Sequence, residues 1–339
     1  MTPRKAMVLA AGHGTRMQPL TSLRPKPALP VLNRPLAAHL LAHLAAHGVE
    51  EVVMNSHSLA AALEEAMERW IPAGMTLEFS REKTILGTAG GLRKAARRFR
   101  DGTFYLVNSD SLTDADLRAA AAAHAASGRA ATLLVMPHDP ASGYRPVEVA
   151  AGQETEPVRR VCGIAGRRWA GRGTPRTFTG IHVMEPRVLA AIPPSGPSDI
   201  NAEVYPRLLD EDAEAVGAWL HPGWWFEAGG PARYLALNME MLSRQKRSCV
   251  VGPGFFLDEE AALERSILGE GCRLMPGARV AHSVLWEGVT VGERALVSRC
   301  VVTDGVTLPA GGSWRDAVLT RGEAGGVSVH PLDPKAGAA

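Results

Sequence analysis

Long apolar runs are missing from this 339-residue chain. A bilayer-spanning helix needs roughly 18 or more consecutive apolar residues, so the sequence predicts no membrane segment. Met1 to Lys5 leads directly into a strand-like stretch, and no signal peptide is expected. Cysteine is scarce. Cys162, Cys249, Cys272 and Cys300 lie far apart, with no CxxC pair and no zinc-site spacing, which excludes a disulfide framework and suits reduced thiols in a cytoplasm. Neither charge sign dominates: 37 Lys and Arg against 35 Asp and Glu leave a formal +2, which argues against a nucleic-acid carrier. What remains, 46% apolar and 21% charged, is the balance of a globular protein long enough for two cores.

The chain is organised around Leu9 to Pro27, LAAGHGTRMQPLTSLRPKP. Lys5 to Leu9 reads as a buried strand, and it enters a loop holding Gly12 and Gly14, then Thr15, Arg16 and Lys26. Glycines let the backbone approach an anion with successive N–H groups turned toward it. Arg16 can grip phosphate oxygens bidentately, Lys26 is a point charge, and Pro25 and Pro27 fix where it stands. Position 17 is Met, so this is not the dinucleotide GxGxxG, and no GK[ST] follows as a P-loop requires.

Strand and helix alternate from there. Leu36–His47, Ser58–Trp70, Thr88–Phe99 and Ala115–Ala126 carry helical spacing; Val49–Met54, Thr76–Phe79, Thr103–Val107 and Ala131–Met136 read as strands. The pattern predicts an α/β fold, a Rossmann-like, mainly parallel mixed sheet with helices on both faces and ligands beyond the carboxyl ends of the strands. His39, His43 and His47 recur every four residues, but with no further ligand beside them they read as a polar helix face. Arg93, Lys94, Arg97, Arg98 and Arg100 close a helix as a solvated face. Asp110 suits a helix N-cap for the segment that follows.

Ser248 opens a different regime. Val251, Leu268, Leu285 and Val302 are spaced by 17, as are Leu257, Leu274, Val291 and Leu308, and Leu263, Val280, Val297 and Trp314. Rows six residues apart within each coil are the pattern of a β-helix. The sequence thus divides into 1–247, the α/β domain, 248–321, a parallel β-helix, and 322–339, a Gly-, Ala- and Pro-rich tail expected to be disordered.

Over its whole length the organising stretch resembles the signature GxGTRxxPLTxxxPKP of sugar-1-phosphate nucleotidylyltransferases, and Gly12, Gly14, Thr15, Arg16, Pro19, Leu20, Thr21, Pro25, Lys26 and Pro27 match it. The resemblance implies nucleotide contacts by Ala11, Gly12, Gly14 and Thr15, with Arg16 and Lys26 catalytic. LGTAGGL (86–92) implies further nucleotide contact by Gly87 and Thr88, and Asn55 and His57 match an N-x-H turn near the base. Asp110 matches a metal-binding aspartate. In WFEAGGPARYL, Glu227 stands where relatives carry the second metal ligand, an aspartate. TFTGIHVM supplies Gly180, a sugar-contacting glycine. Arg145 replaces the glycine of a Tyr-Gly pair, and Arg160 lies near where relatives place a lysine on the sugar phosphate.

The implied reaction is attack by a sugar-1-phosphate on the α-phosphorus of a nucleoside triphosphate, assisted by Mg²⁺ on Asp110 and Glu227. The resemblance implies that 1–247 is the catalytic domain and that 248–321 is a left-handed β-helix; with LGTAGGL they look most like bacterial mannose-1-phosphate guanylyltransferases, so GTP and mannose-1-phosphate are the expected pair. Uridylyl or thymidylyl transfer to glucose-1-phosphate or N-acetylmuramate-1-phosphate is the alternative. Two other classes stay open: a non-catalytic nucleotide-sugar binder, which Arg145 and Glu227 favour and Arg16 and Lys26 oppose, and an acyltransferase using His282 of the β-helix. Neither nucleic acid nor membrane is an expected partner, while the β-helix is the expected contact of a homo-oligomer.

Overall fold

The computed structural model describes residues 2–151, 156–169 and 171–333. They form two compact units, one from residues up to 13 and 37–226, the other from 14–36 and 227 onward.

The first unit is built on a mixed sheet ordered Arg167–Arg168, Val158–Ile164, Val216–Leu220, Ala131–Pro137, Thr174–Met184, Phe104–Asn108, Lys5–Leu9, Glu51–Ser56, Thr76–Arg81. Its right half is parallel: Lys5–Leu9 lies between Glu51–Ser56 and Phe104–Asn108, with Thr76–Arg81 outside. KAMVL and FYLVN are nearly continuous apolar runs because parallel strands are covered on both faces. Thr174–Met184 then enters antiparallel between Phe104–Asn108 and Ala131–Pro137. Strand–helix alternation stops at Pro137, although the later strand Val216–Leu220 still joins Ala131–Pro137 in parallel. Met7, Leu106, Leu133, Val216 and Tyr205 are fully buried members of one core.

Helix Leu117–Ser127 is capped by Asp116, whose carboxylate accepts from Ala119 N at 2.9 Å, and it ends on left-handed Gly128. The capping role open to Asp110 is therefore filled by another residue. On helix Leu36–Ala46 and just past its end, the His43 and His47 rings share one side, 4.4 Å apart, and that side is half-buried rather than open to water. The His43 ring is largely enclosed, with Nε2 3.0 Å from Ala115 O, while His47 Nδ1 lies 2.8 Å from His43 O.

Burial gives the fold a pH dependence. It pulls the His43 imidazole down to about 4, helped by neighbouring His47, and the His182 imidazole, enclosed beside the Tyr205 hydroxyl, down to about 3. Both are neutral when folded and take up protons near pH 6.5 when unfolded, so their stability is complete above pH 6.5 and is lost as pH falls toward the folded values. At pH 5 two histidines, each about 1.5 pH units below the ordinary value at about 1.4 kcal/mol per unit, remove about 4 kcal/mol. Urea unfolding at pH 7.5 and pH 5 measures this. Equal midpoints would refute it, and His182→Asn should flatten the slope.

In the second unit three parallel ladders stack. One runs Val250–Val251, Ile267–Leu268, Val284–Leu285, Val301–Val302, Ala317–Arg321. The others run from Phe256–Leu257 to Thr307–Leu308 and from Ala262–Glu264 to Ser313–Arg315. The seventeen-residue rows come into direct register, Leu268 on Leu285 on Val302 and Leu274 on Val291 on Leu308, and these six side chains are fully buried. This is the left-handed parallel β-helix of the sequence reading. Rungs pack so closely that a Cβ on Gly269 would stand 2.8 Å from Glu287 N.

The tail departs from expectation. Val327–Pro331 is a strand, antiparallel to Ala317–Arg321 from Ala317↔Pro331 to Arg321↔Val327. The last rung offers an unpaired backbone edge, and the chain folds back to satisfy it. Residues 334–339 lie outside the described residues.

Candidate active site

In the first unit the site residues gather where parallel strands end. Ala10 N, leaving strand Lys5–Leu9, donates to Asn55 Oδ1 at 2.6 Å. Asn55 Nδ2 donates to Glu82 Oε1 at 2.8 Å, and Glu82 Oε2 accepts from Leu86 N at 2.9 Å. Asn55 is 3% and Glu82 6% exposed. Asn55, expected near a base, is thus a buried link that sets where the glycine loop starts, and Glu82 ties that link to the start of helix Gly87–Ala95. Gly91 makes room: a Cβ there would meet Asn55 Nδ2 at 2.7 Å and Glu82 Oε1 at 2.9 Å. Sequence reasoning passed over Glu82, whose one signal was a carboxylate just before LGTAGGL.

Past this link Ala11 is buried, while Gly12 and His13 are exposed, with open space around Gly12. Gly87 is left-handed at φ +73°, and a Cβ there would sit 2.4 Å from Ser198 O, so only glycine fits. Thr88 Oγ1 donates to Asp199 Oδ2 at 3.0 Å and accepts from Ile200 N at 2.8 Å. Its hydroxyl is therefore engaged in joining two segments. Strand Phe104–Asn108 ends one residue before Ser109, whose N–H donates to Leu9 O, and Asp110 follows in the turn, with Ser111 Oγ 3.3 Å from Asp110 Oδ1. Gly180 is at φ +82° on the neighbouring strand, and a Cβ there would lie 2.6 Å from Asn108 Nδ2.

Arg145 is exposed, beside a Tyr144 ring that packs edge-on to Trp225 at 5.4 Å. Arg160 is a correction. Strand Val158–Ile164 runs antiparallel to Val216–Leu220, so Arg160 is paired with Gly217, near that strand's amino end. Its guanidinium lies 3.5 Å from Glu214, which also accepts from Arg129 Nη1 at 2.6 Å. This is the edge of the sheet opposite to Asp110. Arg159, on the other face of the strand, instead joins Arg176, Glu156 and Trp219 around a cleft of about 240 Å³.

In the second unit the signature folds into a stapled turn. Gly14 is left-handed at φ +62°, Thr21 Oγ1 donates to Gly14 O at 2.8 Å, and Met17 N donates to the same oxygen at 2.8 Å. A Cβ on Gly14 would stand 2.8 Å from the Thr21 methyl, so Gly14 and Thr21 require one another. Met17 and Leu20 are fully buried, which turns Thr15 and Arg16 outward. Arg16 Nη2 lies 3.4 Å from Glu227 Oε1, with the arginine side chain 70% exposed and the glutamate only 11%. Lys26 opens a short 3-10 turn, Lys26–Ala28, between extended Pro25 and Leu29, and is half-buried. Among the described residues no three His, Cys, Asp or Glu side chains converge as a ready metal cluster. Hard carboxylate oxygens, as on Asp110 and Glu227, are nonetheless the donors that suit Mg²⁺.

Comparison with known proteins agrees with this chemistry. A family model described as nucleotidyl transferase matches residues 5–244, and one described as GlmU-like, C-terminal hexapeptide matches 230–313. The chain is 31% identical to the probable mannose-1-phosphate guanylyltransferase 2 of Arabidopsis thaliana, over 80% of this chain and 75% of that one. It is 30% identical to the UTP–glucose-1-phosphate uridylyltransferase of a Synechocystis strain, over 74% and 68%, and 30% identical to the mannose-1-phosphate guanylyltransferase of Mycobacterium tuberculosis, over 70% and 64%. The solved UDP-glucose pyrophosphorylase from Acinetobacter baumanii shares the fold, with a TM-score of 0.62 at 19% identity over 72% of this chain and 95% of that one. A complete signature and relatives that match most of the chain lead to one assignment: this chain belongs to the nucleotidyl transferase family, among the sugar-1-phosphate nucleotidylyltransferases.

Proposed function

We propose that the protein joins GTP and mannose-1-phosphate to give GDP-mannose and pyrophosphate. The observation that carries the reaction class is the stapled Gly14–Thr21 turn, which fixes the segment from which Arg16 and Lys26 project. The choice of substrates is favoured by the guanylyltransferases among the relatives. The attacking phosphate has its second pKa at roughly 6 and is already ionised near neutral pH, so no general base is needed. Catalysis reduces to positioning and charge neutralisation. Arg16 would hold the departing pyrophosphate, and Glu227 orients its guanidinium. Lys26 would bridge the nucleophile and the α-phosphate. Backbone at Ala11, Gly12, Gly14 and Thr15, with Gly87, would seat the nucleotide, and Gly180 the sugar. Asp110 and Glu227 would hold Mg²⁺, which supplies charge neutralisation on the phosphates. Free thiols at all four cysteines fit a reducing, cytoplasmic setting.

Initial rates with GTP, UTP, dTTP and ATP against mannose-1-phosphate, glucose-1-phosphate and N-acetylmuramate-1-phosphate test this. GTP with mannose-1-phosphate should give the highest kcat/KM. UTP or dTTP ahead by tenfold would overturn the substrates and favour the uridylyltransferase reading, for which the Synechocystis relative speaks. No pyrophosphate from any pair would overturn the reaction.

A further inference from the structure

The β-helix meets the signature at a place where the sequence shows only an unremarked arginine. Arg24, two residues before Lys26, sends Nη2 to Asp304 Oδ1 at 2.7 Å and Nε to Asp304 Oδ2 at 3.1 Å, a two-pronged pair. Asp304 also accepts from Glu287 N at 3.1 Å, and Glu287 Oε1 lies 3.5 Å from Arg24. The same guanidinium lies over the ring of Trp286, 5.1 Å from its centroid. Trp286 is 1% exposed, and its Nε1 donates to the Tyr234 hydroxyl at 3.2 Å, which in turn donates to Pro30 O. One β-helix tryptophan therefore holds both flanks of Lys26, through Arg24 before it and Pro30 after it.

Further along, the hairpin Pro30–Val31/Arg34–Pro35 turns through Leu32 and Asn33, both left-handed at φ 48° and 62°. A leucine in that conformation persists only where its surroundings fix it. Leu32 N donates to Asn238 Oδ1 at 3.1 Å, and Asn33 Nδ2 donates to Leu268 O, on the β-helix, at 2.6 Å. Burial pushes the Asp304 carboxyl above its ordinary value despite the guanidinium on it, and the Arg24 and Asp304 side chains are 24% and 39% exposed.

We infer that the β-helix is part of the catalytic apparatus, with Arg24 a positioning residue that sets the place of Lys26 through Asp304 and Trp286. This rests on the role proposed above for Lys26. The charge of Arg24 is spent on Asp304, so it contributes geometry to the reaction. A displacement of the lysine by about 1 Å is enough to cost about a hundredfold in rate.

The experiment compares Arg24→Ala, Arg24→Lys, Asp304→Asn and the double variant Arg24→Ala/Asp304→Asn in the full chain, each checked for folding by circular dichroism. Arg24→Ala and Asp304→Asn should each lower kcat about a hundredfold while nucleotide binding, read by calorimetry, changes less than threefold. The double variant should be no slower than the slower single variant, because both remove one device. Arg24→Lys, which keeps charge without the planar fork, should recover part of the loss. Unchanged kcat in folded variants, or losses that multiply, would overturn the inference, as would a loss confined to KM. A second readout needs no turnover: reductively methylated Lys26, followed by carbon-13 NMR, should shift in Arg24→Ala and not in Arg97→Ala. An unmoved Lys26 resonance refutes the clamp whatever the enzyme does. A resonance that moves in Arg24→Ala, together with a wild-type chain that releases no pyrophosphate, refutes the reaction instead and leaves the clamp standing.

Discussion

Lys26→Ala lowers kcat about a thousandfold in the expected outcome, the cost of losing one preorganised charge where negative charge develops. The lysine opens a 3-10 turn whose flanking Pro25 and Pro27 are buried, so its backbone is set before any substrate arrives. A charge fixed this way needs no reorganisation at the moment of reaction, which is why its removal is felt in the transition state. Accordingly kcat and kcat/KM should fall together, with KM for the triphosphate little changed. Lys26→Arg should not restore the rate, because a planar fork cannot occupy the place of a compact ammonium. The side chain is half-exposed and its loss opens no core, so the urea midpoint should move little. Turnover within tenfold of wild type would remove Lys26 from the proposed mechanism.

Ending the chain at Arg247 is the second large effect. The coils bury Leu268, Leu285, Val302, Leu274, Val291 and Leu308 against one another, and they supply Trp286, Asp304 and the Leu268 carbonyl to the segment that holds Lys26. Without them the hairpin through Leu32 and Asn33 loses one of its two anchors, and Pro27 and Ala28 belong to a unit whose larger part is missing. The truncated chain should keep the circular dichroism of an α/β sheet, since the first unit has its own core, yet turn over below about 1% of the full chain by the same hundredfold positioning argument. Exposed apolar surface should also change its mass in solution. A truncated chain with full kcat and the mass of the full chain would deny the coils both roles.

How much of this could be read beforehand depends on the range of the interactions. The stapled turn is local: Gly14 and Thr21 are seven residues apart and both lie within one motif. The β-helix was equally legible, because every rung repeats the same environment and seventeen-residue spacing translates directly into register. Arg160 shows the opposite case. Its residue type suits a sugar phosphate, but strand direction, set by pairing with Val216–Leu220, carries it to the far edge, and no local pattern encodes direction. The antiparallel entry of Thr174–Met184 was hidden for the same reason. Arg16 and Glu227 meet across 211 residues, Arg24 and Asp304 across 280, and Asn55 and Glu82 across 27. Motifs mark Arg16, Glu227 and Asn55 one at a time, but no local pattern says which residue each will meet, so only the folded chain reveals the pairs.

The returning strand Val327–Pro331 has a consequence for growth. A stack of parallel rungs is in principle a polymer, since its last rung is a template for another rung from any neighbouring chain. Here the template along Ala317–Arg321 is already occupied, by a strand of opposite direction. That strand ends on Pro331, which has no N–H to offer, and whatever pairs beyond it would have to abandon the sense of the coil. Along this ladder the chain terminates its own filament, and Val327–Pro331 acts as the stop.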